Sequence, residues 1–220
     1  MSKDEQNMID ILDRALDPPI REALLEELVR NLLVPPEPVS FAKWFRSHYV
    51  TWLPNVPICK LCKVPMKFTL FVFKEAYTFE PDAKNWTGYQ QIESNDSFCD
   101  RVERYVCGRC HTVEFSGREN DVLVLIRKRQ GRCGELAILF TSFCIALGWH
   151  ARLLFTKDDD HLWTEVEVAG KWIPLDPSAE DTERLIKDRF LFQKWGWKFK
   201  DVFALEPGKL PMNVGETYRQ

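Results

Sequence analysis

Residues 131–177 read GRCGELAILFTSFCIALGWHARLLFTKDDDHLWTEVEVAGKWIPLDP. The order of apolar runs in this stretch decides the fold class. Cys133–Leu147 is apolar over the length of a helix and stops at Gly148. Three β-type runs follow, Ala151–Thr156, Leu162–Val168 and Lys171–Leu175, the last two joined around Ala169-Gly170. A helix followed by antiparallel strands predicts an α+β core rather than alternating βαβ units.

Upstream of that core, Asn120-Asp121 can cap the apolar run Val122–Ile126. Arg101–Phe115 alternates like a hairpin interrupted at Cys107-Gly108-Arg109-Cys110, and Cys59–Phe73 holds a turn and then a strand-like run. Residues 75–97 are polar and turn-rich, without periodicity. Phe41–Trp52 is expected to be a helix carrying Trp44, Phe45, Tyr49 and Trp52. Before it, Ile9, Leu12 and Leu16 form one stripe at helical spacing, and Leu24, Leu25, Leu28, Val29 and Leu32 form a second. Asp17-Pro18-Pro19 separates these two amphipathic helices, and Pro35, Pro36 and Pro38 end the second. The expected division is N-terminal helices over 1–38, a cysteine-bearing subdomain over 39–118 and the core over 119–220.

Of the 220 residues, 45% are hydrophobic and 29% charged, which excludes a collagen, a disordered tail and a coiled coil. Thirty basic residues against 33 acidic ones give a net charge of −3, so electrostatics makes no case for nucleic acid. The first 17 residues lack the basic start and apolar centre of a signal peptide. No stretch reaches the roughly 18 uncharged apolar residues that would span a bilayer, so no membrane partner is expected. The cysteine count is seven, an odd number that argues against a fully paired disulfide framework. A reducing compartment, cytoplasmic or nuclear, is the expectation.

Four of the seven form matched pairs, Cys59-x-x-Cys62 and Cys107-x-x-Cys110. Zinc suits four thiolates in a tetrahedron, and a two-residue gap lets each pair present both sulfurs to one ion. One structural zinc closing the long intervening loop is the expectation, with buried free thiols or a redox pair as the alternatives. Among the others, Cys144 lies within the apolar helix as a small core residue, and Cys99 sits in a polar loop. Cys133 is different, because it opens a helix between Arg132 and Gly134. Unpaired backbone N–H groups there favour the thiolate and can serve as an oxyanion hole. The flanking glycines would admit a substrate backbone or sugar.

A cysteine nucleophile needs a base and a group that orients the base. His161 precedes one strand and Asp176 follows the next, so adjacent antiparallel strands could bring them side by side. Against this stands the reading of His161 as a turn histidine and Asp176 as the start of a turn before Pro177.

Gly-Arg-Cys-Gly-Glu at 131–135, Ala-Leu-Gly-x-x-Ala-Arg at 146–152, Asp-His-Leu-Trp-Thr-Glu-Val at 160–166 and Leu-Asp-Pro at 175–177 resemble the cytoplasmic peptide:N-glycanases of the transglutaminase-like superfamily. The resemblance takes in both cysteine pairs and continues through Leu191–Leu205. It implies a papain-like α+β core beside a zinc-binding subdomain. It further implies cleavage of the amide that joins an N-linked glycan to asparagine, with Cys133 attacking, His161 moving the proton and Asp176 holding the imidazole. The implied substrates are misfolded N-glycoproteins, reached through their chitobiose core. Trp52, Trp163, Trp172, Arg152 and Glu165 fall on family positions that bind substrate or support the triad. In the family, terminal helices recruit a ubiquitin-receptor protein that shuttles to the proteasome, and the N-terminal stripes permit this here. Leu136 stands where the family has tryptophan, and Ser178 where it has cysteine or an acid. Those departures motivate a second reading, a non-catalytic scaffold that recognises glycans or quality-control partners. A third keeps the triad in a transglutaminase or thiol protease.

Overall fold

In a computed structural model, which describes residues 3–31, 34–53, 56–73, 101–156, 161–179 and 201–218, the chain begins with two helices, α1 (Lys3–Arg14) and α2 (Pro18–Arg30). Pro18 opens α2 behind Asp17, where its fixed φ suits the first turn and its missing N–H costs nothing. Ile9, Ile11, Leu12 and Ala15 are buried with Ile20, Leu24 and Leu28. Two residues of the expected stripes do not join them. Leu16 falls beyond the end of α1 and Val29 lies past the inward face of α2, and both are exposed. Leu32 lies outside the described residues.

The helix expected over Phe41–Trp52 is shorter. A helix α3 (Pro38–Trp44) widens into a π-helical turn, Phe45–Tyr49, and gives way to a strand β1 (Thr51–Trp52). The wide turn keeps both Phe45 and Tyr49 in the core. Beyond it, Thr51 N donates to Arg129 O and Leu53 N to Gly131 O, each at 2.8 Å. This pairing gives the backbone partners that a continued helix would forgo, and it moves Trp52 from a helix to a strand.

A three-stranded antiparallel sheet follows, β2 (Lys67–Phe73), β3 (Arg101–Val106) and β4 (Val113–Arg118), with the expected hairpin around Cys107–Cys110. Next come α4 (Val122–Lys128), the short β5 (Gln130–Gly131) that pairs parallel with β1, and α5 (Cys133–Ala146). Asp121 caps α4 as its position predicted, accepting from Leu123 N at 2.8 Å and Val124 N at 3.2 Å. Gly148, with φ of 82°, ends the α5 segment where the sequence placed the stop.

The second sheet runs β10-β9-β6-β7-β8 in space, all neighbours antiparallel. Its strands are β6 (Ala151–Thr156), β7 (His161–Val168), β8 (Lys171–Leu175), β9 (Val202–Leu205) and β10 (Met212–Asn213). Ala169 and Gly170, with φ of 51° and 75°, form the tight β7–β8 turn that the pair predicted. Helix α5 covers one face of this sheet, where Thr141 and Thr164 share a 2.8 Å hydrogen bond. Every residue of α5 from Glu135 onward is buried. Phe41 at the centre stacks on Phe140 at 5.2 Å and meets Trp149 edge-on at 5.6 Å. The N-terminal helices therefore share one core with α5. On the opposite face, Leu154, Trp163, Val202, Ala204 and Tyr218 form a smaller cluster. The turn-rich 75–97 stretch, Cys99 and residues 191–200 lie outside the described residues.

Candidate active site

The register of the second sheet brings His161 and Asp176 together. Thr164 pairs with Leu175, so one further step places Asp176 opposite Trp163, and alternate residues put His161 on that same face. His161 Nε2 and Asp176 Oδ2 are 2.8 Å apart, and both residues are buried. The other carboxylate oxygen, Oδ1, accepts from Ser178 N at 2.8 Å and Ser178 Oγ at 2.6 Å. Asp176 is thus held on both sides before it meets the imidazole. Trp163 lies against His161 with ring centroids 5.9 Å apart and planes within 21°.

Cys133 is the first residue of α5 and is half-buried. Its sulfur lies near enough to His161 to favour the ring's charged form. Asp176 takes Nε2, which leaves Nδ1 as the ring nitrogen available to the sulfur. Burial alone would lower the His161 pKa, but hydrogen bonds and charge from Asp176 and Cys133 outweigh it and raise the value to about 9. At neutral pH the ring carries its proton. A histidine that binds its proton more tightly folded than unfolded contributes stability fully below its unfolded value, near 6.5. That contribution fades as pH rises through about 9. The expected NMR titration of the His161 ring has its midpoint near pH 9, and Asp176→Asn moves it downward by removing the charge that raised it. An unchanged midpoint in that variant would mean that Asp176 does not set the ring's charge.

The five softer positions divide. Trp52 lies on β1 opposite Gly131, two residues before Cys133, and is 36% exposed. Trp163 is fully buried, and its Nε1 donates to Tyr218 Oη at 3.1 Å. Glu165 is also fully buried, gripped by Arg152 through 2.8 Å and 2.6 Å contacts and by the Tyr218 hydroxyl. Arg152 in turn lies 3.8 Å over the Trp172 ring. These four side chains brace the sheet beneath His161.

Gly131 has a reason other than substrate access. A Cβ there would meet the Glu135 Cβ at 2.5 Å, so only glycine lets Glu135 fold back, where its Oε2 accepts from Arg132 N at 3.1 Å. Sequence reasoning missed this Glu135 contact, Ser178 as the second partner of Asp176, and Tyr218 as the partner of both Trp163 and Glu165. Only the spacing of Gly131 and Glu135 carried a local signal.

Cys59, Cys62, Cys107 and Cys110 converge, their sulfurs all within 4.8 Å of one another. Cys59 Sγ and Cys110 Sγ are 3.6 Å apart, close to the roughly 3.8 Å edge of a tetrahedron with 2.3 Å metal–sulfur bonds. The two turns repeat each other. Lys63 N reaches Cys59 O and His111 N reaches Cys107 O, while Lys63 and His111 adopt φ of 55° and 58°. Cys62 N and Arg109 N point at Cys59 Sγ and Cys107 Sγ. Such N–H groups stabilise thiolates, so the donor set fits a metal ion. His111 is an exposed turn residue outside the cluster.

Residues 84–177 match the family model of the transglutaminase-like superfamily. Cys133, His161 and Asp176 all lie inside the matched stretch. Over 195 residues the chain is 31% identical to a peptide-N(4)-(N-acetyl-beta-glucosaminyl)asparagine amidase of Drosophila melanogaster, covering 88% of this chain and 25% of that protein. Identity to the amidase of the same name from Yarrowia lipolytica is 34% over 166 residues, covering 74% of this chain and 41% of that protein. For the rice amidase it is 40% over 108 residues, covering 48% and 23%. The chain therefore spans a quarter to about two fifths of the length of these relatives.

Proposed function

We propose that this chain is a peptide:N-glycanase, hydrolysing the amide between an N-linked glycan and its asparagine. The observation that carries the reading is the Cys133–His161–Asp176 arrangement, with 2.8 Å between imidazole and carboxylate, in a chain similar to enzymes of that name. Cys133 sulfur attacks the side-chain carbonyl carbon, and the thiol proton resides on His161. The developing oxyanion is stabilised by backbone N–H groups at the start of α5. The tetrahedral intermediate collapses, the carbon–nitrogen bond breaks, and the departing nitrogen takes the His161 proton, leaving as a glycosylamine. Water then gives a proton to His161 and attacks the thioester, which releases aspartate in the peptide and returns the thiol. Asp176 keeps the imidazole oriented and favours its charged form. Leu136 is buried in the core and Ser178 holds Asp176, so neither departure from the family pattern removes a reacting group.

The test is incubation with a denatured N-glycoprotein, read as an asparagine-to-aspartate mass change with release of the glycan. Glycopeptide binding without that change would leave a scaffold, and ammonia release from glutamine peptides or peptide-bond cleavage would leave another thiol chemistry. The proposed metal is one zinc ion in a structural role, because four cysteine ligands fill a tetrahedral site. A reducing, cytoplasmic or nuclear location suits those thiolates.

For a ubiquitin-receptor partner, the proposed contact is the groove beside α2, where Leu16 and Val29 are exposed next to Leu25 and Pro18. Deleting residues 1–34 would remove core residues such as Leu12 and Leu24, so a surface variant is the better probe. Leu16→Asp/Val29→Asp is expected to abolish capture of the receptor in a pulldown while glycan release continues. Unchanged capture would move the contact elsewhere.

A further inference from the structure

Cys133 is gripped from a sheet to which it does not belong. Glu103 lies on β3, 1% exposed, and its two oxygens receive both ends of the Arg132 guanidinium, at 2.6 Å and 2.8 Å. Arg118 on β4 donates to Glu103 at 3.2 Å and to Glu135 at 2.7 Å, with a second Nε contact to Glu135. Tyr105 donates to Glu103 at 2.7 Å and accepts from Arg132 at 3.0 Å. Glu135 closes the ring by accepting from the Arg132 backbone N–H. Two carboxylates and two guanidinium groups thus form a balanced, largely buried circuit. Its contacts fall on the residue before Cys133 and the second residue after it.

We propose that Glu103 is a positioning residue for Cys133, fixing the start of α5 through Arg132, with Arg118 and Glu135 completing the ring. The proposal rests on the reading of Cys133 as the nucleophile. Three observations favour positioning over simple cohesion. The contacts converge on the single turn that carries the sulfur rather than spreading along α5. Arg132 holds Glu103, and Arg118 holds Glu135, through two nitrogens each in fork geometry, which fixes direction as well as distance. A buried ionic ring also contributes little net stability compared with apolar packing, so orientation is the property it adds. Misplacing a reacting atom by about 1 Å can cost on the order of 100-fold in rate. Because β3 and β4 flank the Cys107–Cys110 turn, this ring is also the route by which the cysteine cluster bears on the nucleophile.

The experiment uses the full chain with its metal, comparing wild type with Glu103→Gln, Glu103→Asp and Arg132→Lys. The rate of Cys133 alkylation by iodoacetamide is followed by mass spectrometry across pH, beside kcat and KM on a glycopeptide and the metal content. All assays run well below each variant's unfolding midpoint. Glu103→Gln is expected to keep its metal, lower kcat by about 10- to 100-fold with KM nearly unchanged, and shift the pH profile of alkylation. Glu103→Asp should recover part of that loss. Arg132→Lys, which keeps the charge without the fork, serves if Glu103→Gln does not fold, and is expected to lose rate in the same way. Folded variants with wild-type kcat and an unshifted alkylation profile would overturn the proposal. If the wild type releases no glycan, the functional reading fails, and the alkylation profiles still decide the positioning role.

Discussion

Cys133→Ala is expected to abolish glycan release, lowering the rate by about 10⁴-fold or more, while the protein stays folded. No other described thiol can substitute. Cys144 is buried in the core, where burial pushes its thiol pKa up, and four cysteines belong to the metal-type cluster. Cys133 alone among them joins a histidine that is itself held by a carboxylate. Alanine should cost little stability, because it is the best helix former and the sulfur takes no part in capping α5. The capping contact runs from Arg132 N to Glu135 instead. The measurement is the asparagine-to-aspartate mass change together with a thermal melt. A folded Cys133→Ala protein that still produced aspartate would place the nucleophile elsewhere and end the thiol mechanism.

Much of this arrangement is legible in the sequence because it depends on local pattern. The β7–β8 turn follows from Ala169-Gly170, and its short length fixes the register that sets His161 near Asp176. The α5 stop follows from Gly148, and the α4 start from Asp121. The transition at Tyr49 is hidden for the opposite reason. Phe41, Trp44, Phe45 and Tyr49 satisfy helical spacing, while the competing partner of Thr51 lies at Arg129, far along the chain. The grip on Cys133 is hidden in the same way. Glu103 looks like a polar residue on a half-exposed strand until Arg118 and Arg132 are seen converging on it. Tyr218 gives no local sign of its role, since its partners Trp163 and Glu165 are more than fifty residues away.

Removing the proposed zinc is expected to have the largest effect on stability. The three-stranded sheet has little core of its own among the described residues. Beside the buried Val102, its cluster is Cys59, Met66, Tyr105 and Cys107 with Cys62 and Val64 packed against them, so half of that small cluster is sulfur of the candidate metal site. Without an ion, four thiols would crowd within 4.8 Å with no bond to hold them, and ionising them would set like charges against each other. Structural zinc binding is worth about 10–16 kcal/mol in small zinc domains, and even a fraction of that exceeds what so small a cluster can supply. A strong chelator, or Cys107→Ser, is therefore expected to unfold this sheet at temperatures where the α5 core survives. Elemental analysis should find one zinc per chain in the untreated protein and markedly less in Cys107→Ser. Retention of full metal and an unchanged melt in that variant would refute the structural ion. The Glu103 ring extends the consequence to chemistry. If β3 loosens, Arg132 loses the carboxylate that orients it, so glycan release should fail at chelator concentrations that leave the second sheet and α5 folded.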